Sequence, residues 1–325
     1  MTSPKVLISR KLPEEVIAYL SEHCEVVRWS QDGFMPREQA LAMLEDIDAV
    51  LTTSLNIDDE FLRHAPKLKI VSNISVGYNN FDTAAMKARG VYGTNTPSVL
   101  DDSVADVALA LMLASARRVT ELDQLVKQGG WQRGKLKEED LFGLDVHHAT
   151  VGIIGMGRIG EAIAQRTKFG FNMNVLYYNR NRKPDAEEKL GVQYRTLEEL
   201  LRESDFVVMM TPLTSETTHM IRKEHFAMMK QSAFFINISR GQTIDEQALI
   251  EALQEGVIRG AGLDVYTQEP VDPNNPLLSM PNVVTLPHIG SATAKTRFDM
   301  AMTAARNVLT ALQGQTPPDL VNELK

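Results

Sequence analysis

Two spacings of apolar residues alternate along most of this chain. Short, nearly continuous apolar runs at residues 5–9, 25–29, 49–53 and 68–73 are flanked by polar residues and predict buried strands. Residues 13–22, 36–44, 58–64 and 81–89 carry apolar side chains at helical intervals; Pro13 opens the first, and the last ends near Gly90. That rhythm predicts a parallel sheet with helices on both faces. It resumes further on, with strands expected at 149–155, 174–178, 206–210, 233–238, 260–265 and 282–286, a second sheet of about six strands.

A long helix is predicted from Asp101 to Arg118 between the two. It begins acidic and ends basic, in accord with its dipole. It is apolar over much of its circumference, which predicts burial between domains or subunits. Residues 128–145 are rich in Gly, Lys and Glu and read as an exposed arm. A final helix at 295–313 cannot easily extend the second sheet and is expected to cross back onto the first. The fold class is therefore α/β, two doubly wound parallel-sheet (Rossmann-like) domains with a cleft between them. Residues 1–100 plus 292–325 form a discontinuous, flavodoxin-like substrate-binding domain. Residues 101–291 form a dinucleotide-binding Rossmann domain with a dimerisation arm near 120–145.

The second half opens on Gly155-Met156-Gly157-Arg158-Ile159-Gly160, set between an apolar strand and a helix expected at 161–169. Gly155 permits the tight turn, Gly157 lets backbone approach a pyrophosphate, and Gly160 lets the helix pack closely on the sheet. The helix N-terminus favours the anion. The strand at 174–178 follows about 20 residues after the glycines, the spacing a dinucleotide site requires. At its end, where an NAD enzyme places Asp or Glu, stands Asn179, followed by Arg180, Arg182 and Lys183. An acid there would repel a 2′-phosphate. Asn179 removes the repulsion, and the cations can grip the phosphate, so NADP(H) is expected to be preferred, with NAD(H) possible. Arg158 could serve either cofactor.

Bulk composition narrows the class. A 325-residue chain, 43% hydrophobic and 23% charged, suggests two domains with ample cores. No apolar run approaches a membrane span, and residues 1–10 lack the long apolar stretch of a signal peptide. The single cysteine, Cys24, excludes an internal disulfide and a cysteine zinc cluster, and no His arrangement suggests a metal. A cytoplasmic enzyme is the simplest expectation. A net charge of −8 disfavours nucleic acid and anionic membrane as partners, and means that local cations must hold any anionic substrate.

Ligands of open α/β sheets bind beyond the carboxyl ends of the strands. There the second sheet offers Thr211-Pro212-Leu213-Thr214, Ser239-Arg240-Gly241, Asp264, Glu269 and His288. Hydride transfer to a carbonyl needs a cation to orient the substrate, an acid for the oxygen, and a partner to keep that acid charged. Arg240, His288 and Glu269 match those needs.

These segments, with Ser75-Val76-Gly77, Asn237-Ile238-Ser239-Arg240-Gly241, Gly262-Leu263-Asp264-Val265-Tyr266, Glu269-Pro270 and Pro287-His288-Ile289-Gly290-Ser291, resemble the D-isomer-specific 2-hydroxyacid dehydrogenase family across essentially the whole chain. Val146-His147-His148 and Lys168-Phe169-Gly170-Phe171 place the resemblance nearest the bacterial glyoxylate/hydroxypyruvate and 2-ketogluconate reductases, a branch marked by NADPH use. The resemblance implies that His288 is the general acid in reduction, with Glu269 bonded to its other ring nitrogen and favouring the imidazolium. It implies that Arg240 binds the 2-keto acid, together with the backbone N–H groups of Val76 and Gly77 in the Ser75-Val76-Gly77 loop. Asp264 is expected near the nicotinamide, with Thr211, Pro212 and Ser239 near the cofactor backbone. A homodimer is expected, as in the family. The alternatives are an NAD-dependent 2-hydroxyacid dehydrogenase of another substrate, or a dinucleotide-sensing corepressor-like protein.

Overall fold

In the computed structural model, which describes residues 3–325, the apolar runs form strands; those at 5–8, 49–52 and 70–73 are buried along nearly their whole length, whereas 25–28, at the sheet edge, is half-exposed where a buried strand was expected. The first five are β1 (Lys5–Ile8), β2 (Glu25–Arg28), β3 (Ala49–Thr52), β4 (Ile70–Asn73) and β5 (Tyr92–Thr94). They alternate with α1 (Glu14–Ser21), α2 (Arg37–Met43), α3 (Asp59–His64) and α4 (Thr83–Ala88). Side chains close the starts of α3 and α4. Asp58 accepts from the Phe61 N–H and Asp82 from the Ala85 N–H, both at 2.9 Å. All five strands are parallel in the order β2-β1-β3-β4-β5. β5 is absent from the hydrophobic pattern because it is only three residues long and carries Gly93 at its centre. Its position comes from the β4 ladder rather than from its own side chains.

The next segment holds α5 (Asp101–Ala116), α6 (Val119–Lys127), β6 (Thr150–Ile154), α7 (Arg158–Phe171), β7 (Asn174–Tyr178), α8 (Pro184–Leu190), β8 (Gln193–Tyr194) and α9 (Leu197–Glu203). Then follow β9 (Phe206–Met209), α10 (Lys223–Phe226), β10 (Phe234–Asn237), α11 (Glu246–Gln254), β11 (Gly260–Leu263), β12 (Val283–Thr285) and α12 (Ala294–Leu312). The second sheet is parallel, in the order β12-β11-β10-β9-β6-β7-β8. It has seven strands rather than about six, because the two-residue β8 is too short to show a pattern.

Two compact units result. One combines the chain up to Leu100 with Ala292–Lys325, and the other is Asp101–Ser291. In the first, Leu7, Val50 and Val71 pack with Ala40, Phe61 and Leu62 on one sheet face. α12 packs on β3 and β4 and against α1, burying Met300, Ala301, Ala304, Ala305 and Val308. In the second, α5 lies on α7 and on β10, β11 and β12 of its own unit. Its apolar circumference is therefore explained inside that unit, where burial between domains or subunits was expected. Gly262 allows this approach: a Cβ there would stand 3.0 Å from the Leu111 Cβ. The expected arm begins as a helix, α6, with no buried residue, and continues to a short 3₁₀ turn at Glu138–Leu141.

Candidate active site

Strand register brings the fingerprint, Asn179 and Thr211 to one edge. Ile154 is level with Tyr178 and with Met209, so the residues that follow emerge side by side. Gly155 has φ +109°, and a Cβ there would lie 2.7 Å from the Met210 carbonyl. At Gly160 a Cβ would lie 2.3 Å from the Gly155 oxygen. Gly157 is different. Its φ is −91°, and a Cβ would meet nothing within 4 Å, so neither backbone nor packing requires glycine there. The N–H groups of Met156, Gly157, Arg158 and Ile159 donate to no acceptor among the described residues. Thr211 Oγ1 is buried without a partner. Beside it Pro212 accepts from Thr217 Oγ1 at 2.6 Å, which fixes that loop. Open space over a glycine, free donors at a helix N-terminus and an orphaned hydroxyl together fit a bound pyrophosphate.

At the end of β7, Asn179 Nδ2 donates to the Asn181 carbonyl at 2.8 Å. Arg180 pairs with Glu216 at 2.8 Å, both side chains well exposed. Arg182 is held bidentately by Glu187 at 2.7 Å, and with Tyr177 OH it pushes the Glu187 carboxyl down to about 2. Of the expected cations, Arg182 is committed to the protein. Arg180 sits in an exposed pair that an incoming phosphate can displace.

The second cluster stands on the same carboxyl edge, beyond β10, β11 and β12. Asn237 is level with Leu263, and Leu263 with Thr285. His288 has φ +54°, a left-handed conformation that histidine tolerates better than most side chains. Asp264 holds the loop in that shape. It is 1% exposed, and its two carboxylate oxygens accept the N–H groups of Ile289 (2.7 Å) and Gly290 (2.8 Å). Burial pushes the Asp264 carboxyl up, against those two bonds. His288 Nδ1 meets Glu269 Oε2 at 2.6 Å, and Glu269 Oε1 accepts the Tyr266 N–H at 3.1 Å. Burial raises the Glu269 carboxyl. The His288 hydrogen bond and charge, the Tyr266 N–H and Arg240 outweigh that and leave it below its ordinary value. Arg240 Nη1 donates to the Ser239 carbonyl at 2.6 Å; burial lowers its pKa while the Glu269 charge opposes the shift. Ser239 is fixed in turn by Asn237 Oδ1, which accepts its N–H and its hydroxyl. The cluster can orient an anion and deliver a proton.

Comparison with known proteins agrees with this geometry. Residues 109–290 match the family model described as D-isomer specific 2-hydroxyacid dehydrogenase, NAD binding domain. The chain is 49% identical over 323 residues to a glyoxylate reductase of Thermococcus kodakarensis, covering 98% of this chain and 96% of that protein. The chain belongs to the D-isomer specific 2-hydroxyacid dehydrogenase family. It is also 48% identical over 319 residues to glyoxylate/hydroxypyruvate reductase B of Escherichia fergusonii, covering 98% of both. The crystal structure of an NADPH-dependent glyoxylate/hydroxypyruvate reductase from Sinorhizobium meliloti, in complex with NADP and malonate, superposes with a TM-score of 0.87 at 33% identity, covering 99% of this chain and 98% of that one. This 2-hydroxyacid dehydrogenase is thus an oxidoreductase built on an NAD(P)-binding domain.

The dehydrogenase's other unit carries Ser75-Val76-Gly77 just beyond β4. The Gly77 carbonyl accepts from the Ser75 hydroxyl and from Asn73 Nδ2, and the Val76 carbonyl accepts from Asn95 Nδ2 at 2.8 Å. With the carbonyls tied back, the N–H groups of Val76 and Gly77 donate to no acceptor among the described residues. The sequence did not point to Asn73 and Asn95 as the residues that shape this loop. Nor did it point to Tyr266, whose phenol donates to the Leu286 carbonyl and is pushed up to about 12, chiefly by burial.

Proposed function

We propose that this dehydrogenase reduces a 2-keto acid (glyoxylate, hydroxypyruvate or 2-ketogluconate) to the D-2-hydroxy acid with NADPH. The observation that carries the proposal is the 2.6 Å His288–Glu269 pair on the carboxyl edge of the dinucleotide-binding sheet. The relatives named for glyoxylate and hydroxypyruvate reduction support the substrate class. When bound, the reduced nicotinamide supplies the hydride. Arg240 grips the substrate through its carboxylate and carbonyl oxygens. The Glu269 carboxylate can only accept, so His288 Nδ1 carries a proton toward it and Nε2 is left to serve the substrate. His288 gives the Nε2 proton to the carbonyl oxygen as that oxygen gains charge, and Glu269 holds the ring through its other nitrogen. The free N–H groups of Val76 and Gly77 hold the substrate carboxylate, which makes residues 1–100 with 292–325 the substrate-binding domain. Asn179 and Arg180 accept the 2′-phosphate. Exposed Val119, Val126, Trp131, Leu141 and Phe142 along residues 119–142 support a homodimer formed through that arm.

An initial-rate matrix tests the proposal. NADPH and NADH are crossed with glyoxylate, hydroxypyruvate, 2-ketogluconate and pyruvate. NADPH with one of the first three should give the highest kcat/KM, about tenfold or more above NADH. Absence of nucleotide oxidation with every keto acid would overturn it.

A further inference from the structure

A guanidinium without a counter-ion lies on the carboxyl edge of the five-stranded sheet. Arg10 follows β1 and is partly buried. No carboxylate or other acceptor among the described residues pairs with it; the guanidinium lies over the face of Phe34, 5.4 Å from the ring centroid. The nearby Asp32 reaches Lys11 instead, at 3.9 Å. A half-buried cation left in this state is unfavourable unless an anion completes it.

Two further groups point to the same place. Ile8 is level with Leu51, and the Ser9 N–H continues the ladder to the Leu51 carbonyl at 3.0 Å, so Arg10 stands level with Thr53. Leu7 and Val50 belong to the core on the α2–α3 face. By alternation, Ile8, Arg10, Leu51 and Thr53 belong to the opposite face, which α12 covers. Thr53 Oγ1 is buried with no partner. On α12, Arg297 precedes Met300, Ala301 and Ala304 by three, four and seven residues, and all three are buried. Arg297 therefore extends the sheet-facing stripe of the helix by one turn. Arg10's own burial pushes its pKa down, and the Arg297 charge does so less strongly, which places the two cations near each other.

We infer that Arg10, Thr53 and Arg297 form a second oxyanion site that holds a terminal carboxylate or phosphate. The Arg10 guanidinium fork and the Thr53 hydroxyl, with the Arg297 charge close by, suit a planar or tetrahedral oxyanion. β1 is two strands from β4, about 10 Å across the sheet, so one extended molecule can span this site and the Ser75-Val76-Gly77 loop. The ligand is then a 2-keto acid with a second anionic group at its far end. That form of the inference rests on the proposed 2-keto acid reductase activity. A free inorganic anion would use the same chemistry.

The test compares wild type with Arg10→Gln and Thr53→Val in two arms. The first measures kcat/KM for glyoxylate and for 2-oxoglutarate. The second titrates the cofactor-free protein with inorganic phosphate by calorimetry. If the anion belongs to the substrate, Arg10→Gln lowers kcat/KM for 2-oxoglutarate at least tenfold and leaves glyoxylate within twofold, and Thr53→Val gives a smaller loss of the same kind. If it is a free anion, phosphate binds wild type and the affinity falls at least tenfold in Arg10→Gln, with both substrates unaffected. Equal losses on both substrates, or no change in either arm, would overturn the site. Failure of wild type to reduce glyoxylate counts against the proposed activity alone, because the phosphate titration does not depend on turnover.

Discussion

The stretch of carboxyl edge beyond β10, β11 and β12 and the carboxyl edge of the five-stranded sheet are built in opposite ways. Beyond the seven-stranded sheet, the candidate catalytic groups are held by other protein groups: Asp264 fixes the loop after His288, and Glu269 bridges His288 and the Tyr266 N–H. Beyond the five-stranded sheet, the N–H groups of Val76 and Gly77, the Thr53 hydroxyl and the Arg10 guanidinium lack such partners among the described residues. The difference follows from what each edge must do. A proton donor has to be aimed and charged before the substrate arrives, so its partners are internal. A recognition surface has to offer unsatisfied groups, because a group already paired gives the ligand nothing.

The most damaging test of this contrast removes the aimed group. His288→Ala should lower kcat/KM for keto acid reduction by about 10³-fold, within the range ascribed to general acid catalysis. NADPH binding, followed by fluorescence, should stay within a few-fold of wild type. A loss smaller than tenfold would mean that the internally partnered edge is not the proton source.

Where strands are long enough to carry a pattern, the sequence predicted the edges well. β5 and β8 escaped because three and two residues cannot show alternation, and their neighbours impose their conformation. Arg240, Glu269 and His288 were legible because each follows a strand in a loop rich in turn residues. The support beneath them was not. Asp264 acts on a backbone 26 residues further along the chain, a pairing that only the β11–β12 register creates. Arg10 stood out even less, since an unpaired charge becomes visible only once every neighbour is placed. The alignment of α5 with its own unit was also hidden, because an apolar circumference does not say which surfaces cover it.

Removing the partner instead of the proton donor sharpens the comparison. Glu269→Gln keeps a hydrogen bond to His288 but removes the charge, and kcat should fall about 10²-fold with a smaller change in KM. The same variant has a pH signature. The folded carboxyl lies below its ordinary value of 4.5, so the stability it confers is present above that value and is lost as pH falls through the folded value. Acid unfolding below about pH 4.5 should therefore be steeper in wild type than in Glu269→Gln. Identical acid transitions would show that the pair aims the ring without stabilising the fold.

The smallest expected effect lies at Asn179, where the two modes of construction meet. Its amide donates internally to the Asn181 carbonyl, yet its position faces the expected adenosine ribose. Asn179→Asp loses that donor and places a negative charge beside Arg180, which is already shared with Glu216. The carboxylate should repel a 2′-phosphate and accept from ribose hydroxyls, so the ratio of kcat/KM for NADPH over NADH should fall about tenfold. Local strain from the lost Asn181 bond acts on both cofactors and cancels in that ratio. If the ratio does not move, the 2′-phosphate is read by Arg180 alone, and Arg180→Gln should then produce the shift that Asn179→Asp does not.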